Sequence, residues 1–384
     1  MGAIDIAVFR TCIKLDSEVV ADEGLVRNGL RGTYGHANAV FVGGLAICMK
    51  QMYLCGMLMK TRNNRTCGLL LLTVLLTASC NRPEVTPCDD YRQAMRDFVV
   101  RISETARAQT PDFIVIPQNG IELVTVGEDA NAELAATYLA AIDGHGQEDL
   151  FYGYERDDKP TSAAETDYLL SYLRRSKQTG NCILVTDYCS RSEYVAGARS
   201  RCDAEGFVSF AAPSRELDVI PAGASTHENA QDIVRLSDAQ NFLYLLNCEH
   251  FSSKTAFLDA VSATNYDFII IDLFFDNDMA FTAEEVERMK HKANGGKRLV
   301  VCYMSIGEAE DYRYYWQSDW KHHKPAWLAR ENPEWRGNYK VRYWDPAWQE
   351  IICGAGDSYL NRILAAGFDG VYLDIIDAFE YFEK

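Results

Sequence analysis

The chain has 384 residues, of which 48% are hydrophobic and 11% aromatic. This is enough for one large α/β domain or two small ones, and it excludes wholesale disorder. Its 38 basic and 55 acidic side chains give a formal net charge of -17, which argues against nucleic acid as a partner because phosphate neutralisation needs an excess of Lys and Arg. The same balance suits a neutral or cationic ligand, or simply a solvated acidic surface.

In chain order, the first chemically distinctive segment begins at Met59. Lys60, Arg62 and Arg65 precede an uncharged run from Cys67 to Ala78. That run is shorter than the roughly 20 residues needed to span a bilayer, but it has the length of a secretory signal core. Leu76-Thr77-Ala78-Ser79-Cys80 resembles a bacterial lipobox, with Thr77 in place of the usual Leu, Val or Ile. Residues 1–58 therefore read as an upstream extension of the reading frame and 59–79 as a lipoprotein signal peptide. Cys80 reads as the lipidation site, 80–90 as a tether and 91–384 as the folded domain. The expected location is the bacterial cell envelope, with a lipid anchor at the membrane and no spanning helix. Residues 81–384 carry 30 basic and 50 acidic side chains, a net charge of -20.

Tyr91–Ala108 has helical periodicity through Met95, Phe98, Val99 and Ile102. Strand candidates follow at Phe113–Pro117, Leu150–Gly153, Ile183–Thr186, Phe207–Phe210, Phe242–Leu246, Phe268–Ile271, Leu299–Met304, Val341–Trp344 and Gly370–Leu373. Amphipathic stretches such as Ala283–Ala293 and Pro346–Ala366 lie between them. Repeated β-α units with nearly continuous apolar strands predict an α/β fold with a parallel sheet covered on both faces. A (β/α)8 TIM barrel with one strand misassigned fits best; no GxGxxG follows a first strand to favour a doubly wound sheet. The seven Cys beyond Cys80 show no CxxC and read as small buried hydrophobes, with a local bridge among Cys182, Cys189 and Cys202 as the one disulfide candidate.

Polar residues recur where these strands end: Gln118-Asn119-Gly120, Glu155, Asp187, Asp272, Glu308 and Glu310, Asp345 and Asp374. In a barrel such positions converge on one rim, where active sites lie. Asp345 precedes Pro346 and reads as a helix cap. Glu308 and Glu310 share a face if extended, and Arg313 is placed to pair with either. A carboxylate-rich rim suits glycosidic cleavage, which needs one protonated and one ionised acid. Tyr303, Tyr312, Tyr314, Tyr315, Trp316, Trp344 and Tyr372 supply rings able to stack on sugars. No GxSxG, HExxH, P-loop or zinc-ligand spacing is present, and no metal or other cofactor is expected.

The segments YDFIIIDLFFD, VVCYMSIGEAEDYRYYW, NPEWRGNYKVRYWDPAWQEII and GFDGVYLDIIDAFEYF, with the earlier DFIVIPQNG, together resemble glycoside hydrolase family 114. The resemblance implies a TIM barrel and an endo-α-1,4-polygalactosaminidase-like activity on a polysaccharide or oligosaccharide. It implies Asp272 and Glu310 as catalytic acids and Asp374 as a further acid of the pocket. Asn119, Glu155, Asp187, Tyr303, Glu308, Arg313, Trp344 and Tyr372 are the candidate substrate contacts. In that family the Asp374-type strand leads on to the PQNG-type strand, whereas here PQNG comes first, so the order looks circularly permuted. If so, Tyr91–Ala108 must dock beside Phe379–Phe382. The rival readings are a glycan-binding lipoprotein on the same barrel without catalysis, and a carboxylate-metal phosphohydrolase.

Overall fold

The fold is built from short buried strands, each followed by a segment that crosses back over the outside. The computed structural model describes residues 85–127, 129–276 and 279–384; the expected extension, signal peptide, Cys80 and the start of the tether lie outside them. Seven strands come first: β1 (Ile114–Pro117), β2 (Gly144–Glu148), β3 (Cys182–Tyr188), β4 (Val208–Ala212), β5 (Phe242–Tyr244), β6 (Phe268–Ile271) and β7 (Leu299–Ser305). An antiparallel ladder follows, made of β8 (Glu308–Glu310), β9 (Leu328–Glu331) and β10 (Asn338–Val341), and then β11 (Gly370–Asp374). One sheet has the order β1-β11-β7-β6-β5 and a second β2-β3-β4, and every pairing within both is parallel.

The two parallel sheets meet at β1 and β2, where Gln118 bridges Gly146 and the Asn119 amide donates to the Gly146 carbonyl at 2.8 Å. On the far side, Phe210 of β4 and Phe242 of β5 bring their ring centroids to 5.5 Å. The result is a barrel-like α/β arrangement whose strands all end on one side. The strand interiors are apolar because both faces are covered: Phe268–Ile271 and Val300–Cys302 are almost wholly buried.

The helices are α1 (Tyr91–Arg107), α2 (Ala136–Ala141), α3 (Ala163–Gln178), α4 (Ser192–Glu205), α5 (Lys254–Ser262), α6 (Ala283–Met289), α7 (Pro346–Cys353), α8 (Tyr359–Ala365) and α9 (Phe379–Glu383). Asp90 caps α1 by accepting from the Gln93 amide, and Met95, Phe98, Val99 and Ile102 form its buried stripe. This helix lies against the C-terminal one. Arg92 pairs with Glu383 at 2.9 Å, its guanidinium sits 4.8 Å over the Phe379 ring, and the Tyr91 and Phe382 rings are 5.6 Å apart. The docking expected of Tyr91–Ala108 is thus present.

Several expectations are corrected. The second strand is Gly144–Glu148, and Leu150–Gly153 is the loop beyond it. Its sequence GHGQE lacks the apolar run used to find strands; Gly146 is required because a Cβ there would lie 2.0 Å from the Tyr372 hydroxyl. Val341–Trp344 is not a core strand, since the pairing residues are Asn338–Val341 of β10, in the antiparallel ladder. Pro346–Ala366 is two helices, broken at Gly354. Cys182, Cys189 and Cys202 are all free thiols. Strand β3 runs from Cys182 to the residue before Cys189 and so sets the two roughly 20 Å apart, far outside disulfide reach. Asp345 is the helix cap it reads as, accepting from the Ala347 amide at 2.9 Å ahead of Pro346.

Candidate active site

The C-terminal strand ends open into a cleft of about 890 Å³ lined by nine carboxylates and three arginines among the described residues. Two groups of acids face it, and they are held in different ways.

The first group is built on Arg313. Its Nη1 and Nη2 donate to the two oxygens of Asp272 at 2.8 and 2.7 Å, and its Nε donates to Glu310 Oε2 at 2.5 Å. Asp272 leaves β6 directly after four buried apolar residues, so its carboxylate emerges at the sheet edge. Glu310 ends β8, which is locked by pairing with Asn338 of β10. The Tyr312 hydroxyl adds a bond to Glu310 Oε1 at 2.6 Å. A guanidinium offers five donors and no acceptor, so this triad presents both carboxylates as acceptors of one shared cation. Burial lowers the guanidinium pKa, but Asp272 and Glu310 outweigh it and hold Arg313 well above the ordinary arginine value.

The second group is built on Asp374 and Glu148. Asp374 ends β11, and the Tyr303 hydroxyl donates to its Oδ2 at 2.6 Å. Its carboxyl is pushed up to about 7, first by burial and then by the negative charge of Glu148, against the pull of the Tyr303 bond. Glu148 ends β2. Asn119 clamps it twice, donating from Nδ2 to Oε2 at 3.0 Å and accepting the Glu148 amide on Oδ1 at 3.0 Å. Asn119 manages this from a left-handed backbone, φ 59°, a conformation that Asn tolerates better than most residues. The Tyr188 hydroxyl donates to Glu148 Oε1. Behind Asn119, buried His145 lies 2.9 Å from its carbonyl; burial lowers the imidazole to about 4, so the ring is neutral with its proton on Nε2. Asp377, also in the lining, is raised to about 6 by burial and by Glu380.

The structure thus brings Asp272, Glu310, Asp374, Asn119, Tyr303, Glu308 and Arg313 to one cleft. Glu308 is wholly buried, and its Oε1 is taken by Lys340 at 2.6 Å and Asn332 at 2.8 Å. Four expected contacts lie outside the lining. Glu155 is on the surface, paired with Lys159. Asp187 is buried, accepting from the Phe151 and Tyr152 amides at 2.7 and 2.9 Å. Trp344 packs on Tyr91 and Phe382. Tyr372 is buried against Gly146. Sequence reasoning missed Glu148 and Tyr188. The signal for Glu148 was an acid ending a Gly-bounded polar segment, which apolar patterning passes over.

The matching part of the chain carries Asp272, Glu310 and Asp374: residues 223–384 fit the model of glycoside-hydrolase family GH114. Over that stretch the chain is similar to family GH114. The GH114 match spans β5 to α9; Asn119 and Glu148 lie before it. Uncharacterized protein MJ1477 of Methanocaldococcus jannaschii is 41% identical over 158 residues, 41% of this chain and 43% of that protein. An uncharacterized protein of Deinococcus radiodurans is 44% identical over 123 residues, 32% of this chain and 37% of its own. One from Thermotoga maritima is 40% identical over 126 residues, 32% and 36%. The chain thus spans about two fifths of the length of the curated relatives it matches.

Proposed function

We propose that this chain is a glycosidase that cleaves an α-linked, galactosamine-containing polysaccharide within the cleft, with Asp374 as proton donor and Glu148 as the ionised partner. The observation that carries this reading is the pairing of a carboxyl raised to about 7 with a second carboxylate whose charge helps to raise it. That is how two like acids come to serve opposite roles. Asp374 gives its proton to the glycosidic oxygen as the C–O bond breaks. Glu148, oriented by Asn119 and Tyr188, meets the anomeric carbon or the water that attacks it, and the water's proton passes to a carboxylate. Asp272 and Glu310, the acids that the family resemblance singles out, are engaged with Arg313. We assign them to shaping the cleft and balancing the positive charge that develops on the sugar.

The match of residues 223–384 to family GH114 supports hydrolysis of glycans. The excess of carboxylates over arginines in the lining, nine against three, supports a cationic chain as substrate, and the net charge of the sequence adds long-range attraction. The two seams, Gln118 to Gly146 and Phe210 to Phe242, support a closed eight-stranded barrel. The contact between α1 and α9 supports a circularly permuted order. The lipobox-like segment ending at Cys80 supports export and lipid anchoring at the cell envelope. Reducing-end release from partially deacetylated α-1,4-galactosamine polymer, run beside neutral and acidic glycans, tests the reading. Release from the cationic polymer supports it, and binding without release on every glycan returns the molecule to a non-catalytic glycan-binding role.

A further inference from the structure

Five of the six tryptophans are wholly or partly withdrawn into the fold: Trp320, Trp327 and Trp348 are buried, Trp316 stacks on Tyr339, and Trp344 packs on Tyr91. Trp335 is different. It is 56% exposed and lines the cleft. A single exposed ring is ordinary on a protein surface; what singles out this one is its place in the cleft lining.

Trp335 sits on the turn between β9 and β10, and that turn is fixed rather than loose. The Asn338 amide donates to the Trp335 carbonyl at 3.1 Å. Gly337, at φ 93°, donates its amide to Glu331 Oε1 at 2.9 Å and accepts the Asp311 amide at 2.8 Å. At the foot of the turn, Asn332 donates to Glu308 Oε1. Asn338 then pairs with Glu310 itself. The ring is therefore carried on a hairpin tied at three points to the strand that bears Glu308 and Glu310. This gives the otherwise unexplained burial of Glu308 a purpose, which is to anchor the hairpin through Asn332 and Lys340.

From this placement we infer that Trp335 is a sugar-stacking platform, forming a subsite that holds a pyranose ring of the glycan flanking the cleaved bond. The indole face packs on the C–H face of the ring. Aromatic residues suit this because they supply apolar area at low entropy cost, and a pre-fixed hairpin keeps that cost low. The inference rests on the glycan-cleaving reading but has its own readout.

Full-length parent, Trp335→Ala and Trp335→Phe are titrated with partially deacetylated α-1,4-galactosamine polymer while intrinsic fluorescence is recorded, and KM and kcat are measured on the same polymer. The expected result is a polymer-induced fluorescence change in the parent that is absent from Trp335→Phe. KM should rise roughly tenfold in Trp335→Ala, the equivalent of one lost stacking contact, with kcat nearly unchanged and most of the KM recovered in Trp335→Phe. Identical fluorescence responses in parent and Trp335→Phe overturn the inference, as does an unchanged KM in Trp335→Ala. A parent that cleaves nothing yet shows the Trp335-dependent signal keeps the subsite and rejects the glycosidase reading.

Discussion

Glu148, two strands away from Asp374 across β1, helps to hold the Asp374 carboxyl at about 7 by the negative charge it directs at it. Tyr303 acts in the opposite sense, donating to Asp374 Oδ2 and favouring the ionised form. The proton on Asp374 is therefore set by two named neighbours as well as by burial.

The pH dependence follows from that balance. If protonated Asp374 is the acid, kcat/KM declines as pH rises through about 7. Tyr303→Phe removes the bond that lowers the Asp374 pKa, so its alkaline limb moves to higher pH. A pH–rate profile of the two proteins checks this, and an unmoved or acid-shifted limb contradicts it.

Buried Arg313 neutralises two carboxylates at once, buried Glu310 and partly exposed Asp272. Removing one partner of a buried ion pair costs about 3–5 kcal/mol because the remaining charge is stranded. Arg313→Leu is therefore expected to lower the unfolding midpoint sharply. Adding Asp272→Asn and Glu310→Gln to that variant should recover part of the loss. Denaturant unfolding of the three proteins measures both effects.

Asp187 is a further buried acid. Burial raises it to about 7, and its Oδ2 has no partner. The sign follows from linkage. Between an unfolded carboxyl near 4 and about 7, the folded state holds the proton and the unfolded state has lost it, so this group makes stability fall as pH rises across that window. Asp187→Asn keeps the acceptor for the Phe151 and Tyr152 amides and removes the titration. Its stability relative to the parent should improve from pH 5 to pH 8, as thermal melts across that range will show.

Gly146 is a packing site on the strand that ends in Glu148. A Cβ there meets the Tyr372 hydroxyl at 2.0 Å and the ring behind it at 2.5 Å. Gly146→Ala should cost about 1–3 kcal/mol by overpacking and displace Glu148 two residues on, lowering activity as well. Equal stability and activity in the variant would show that β2 and β11 yield at this point.

Much of the architecture was legible because parallel strands covered on both faces read as apolar runs, as FIII and LVVCYMS do. Strand β2 was not, because GHGQE is filled with glycine and polar residues that owe their burial to Tyr372 and Asn119, and neither contact is local. The same gap hid Glu148. Asp272, Glu310 and Asp374 were visible as acids ending apolar strands, but how they divide was not. Whether a carboxylate is engaged by an arginine or faces another acid depends on Arg313 and on the approach of β2 to β11, which spacing does not encode. Asp187 looked like a rim acid by the same rule, yet its carboxylate turns inward to the Phe151 and Tyr152 amides. Trp344 is taken up by Tyr91, the first residue of α1.

The most direct measurement is reducing-end release from partially deacetylated α-1,4-galactosamine polymer by the parent, Asp374→Asn and Glu148→Gln, with Asp272→Asn beside them. Cleavage by the parent is expected, with a loss of at least about 100-fold in both Asp374→Asn and Glu148→Gln and a smaller loss in Asp272→Asn. Full activity in Glu148→Gln or Asp374→Asn, with cleavage abolished only in Asp272→Asn, would contradict this assignment and move the chemistry to the carboxylates on Arg313.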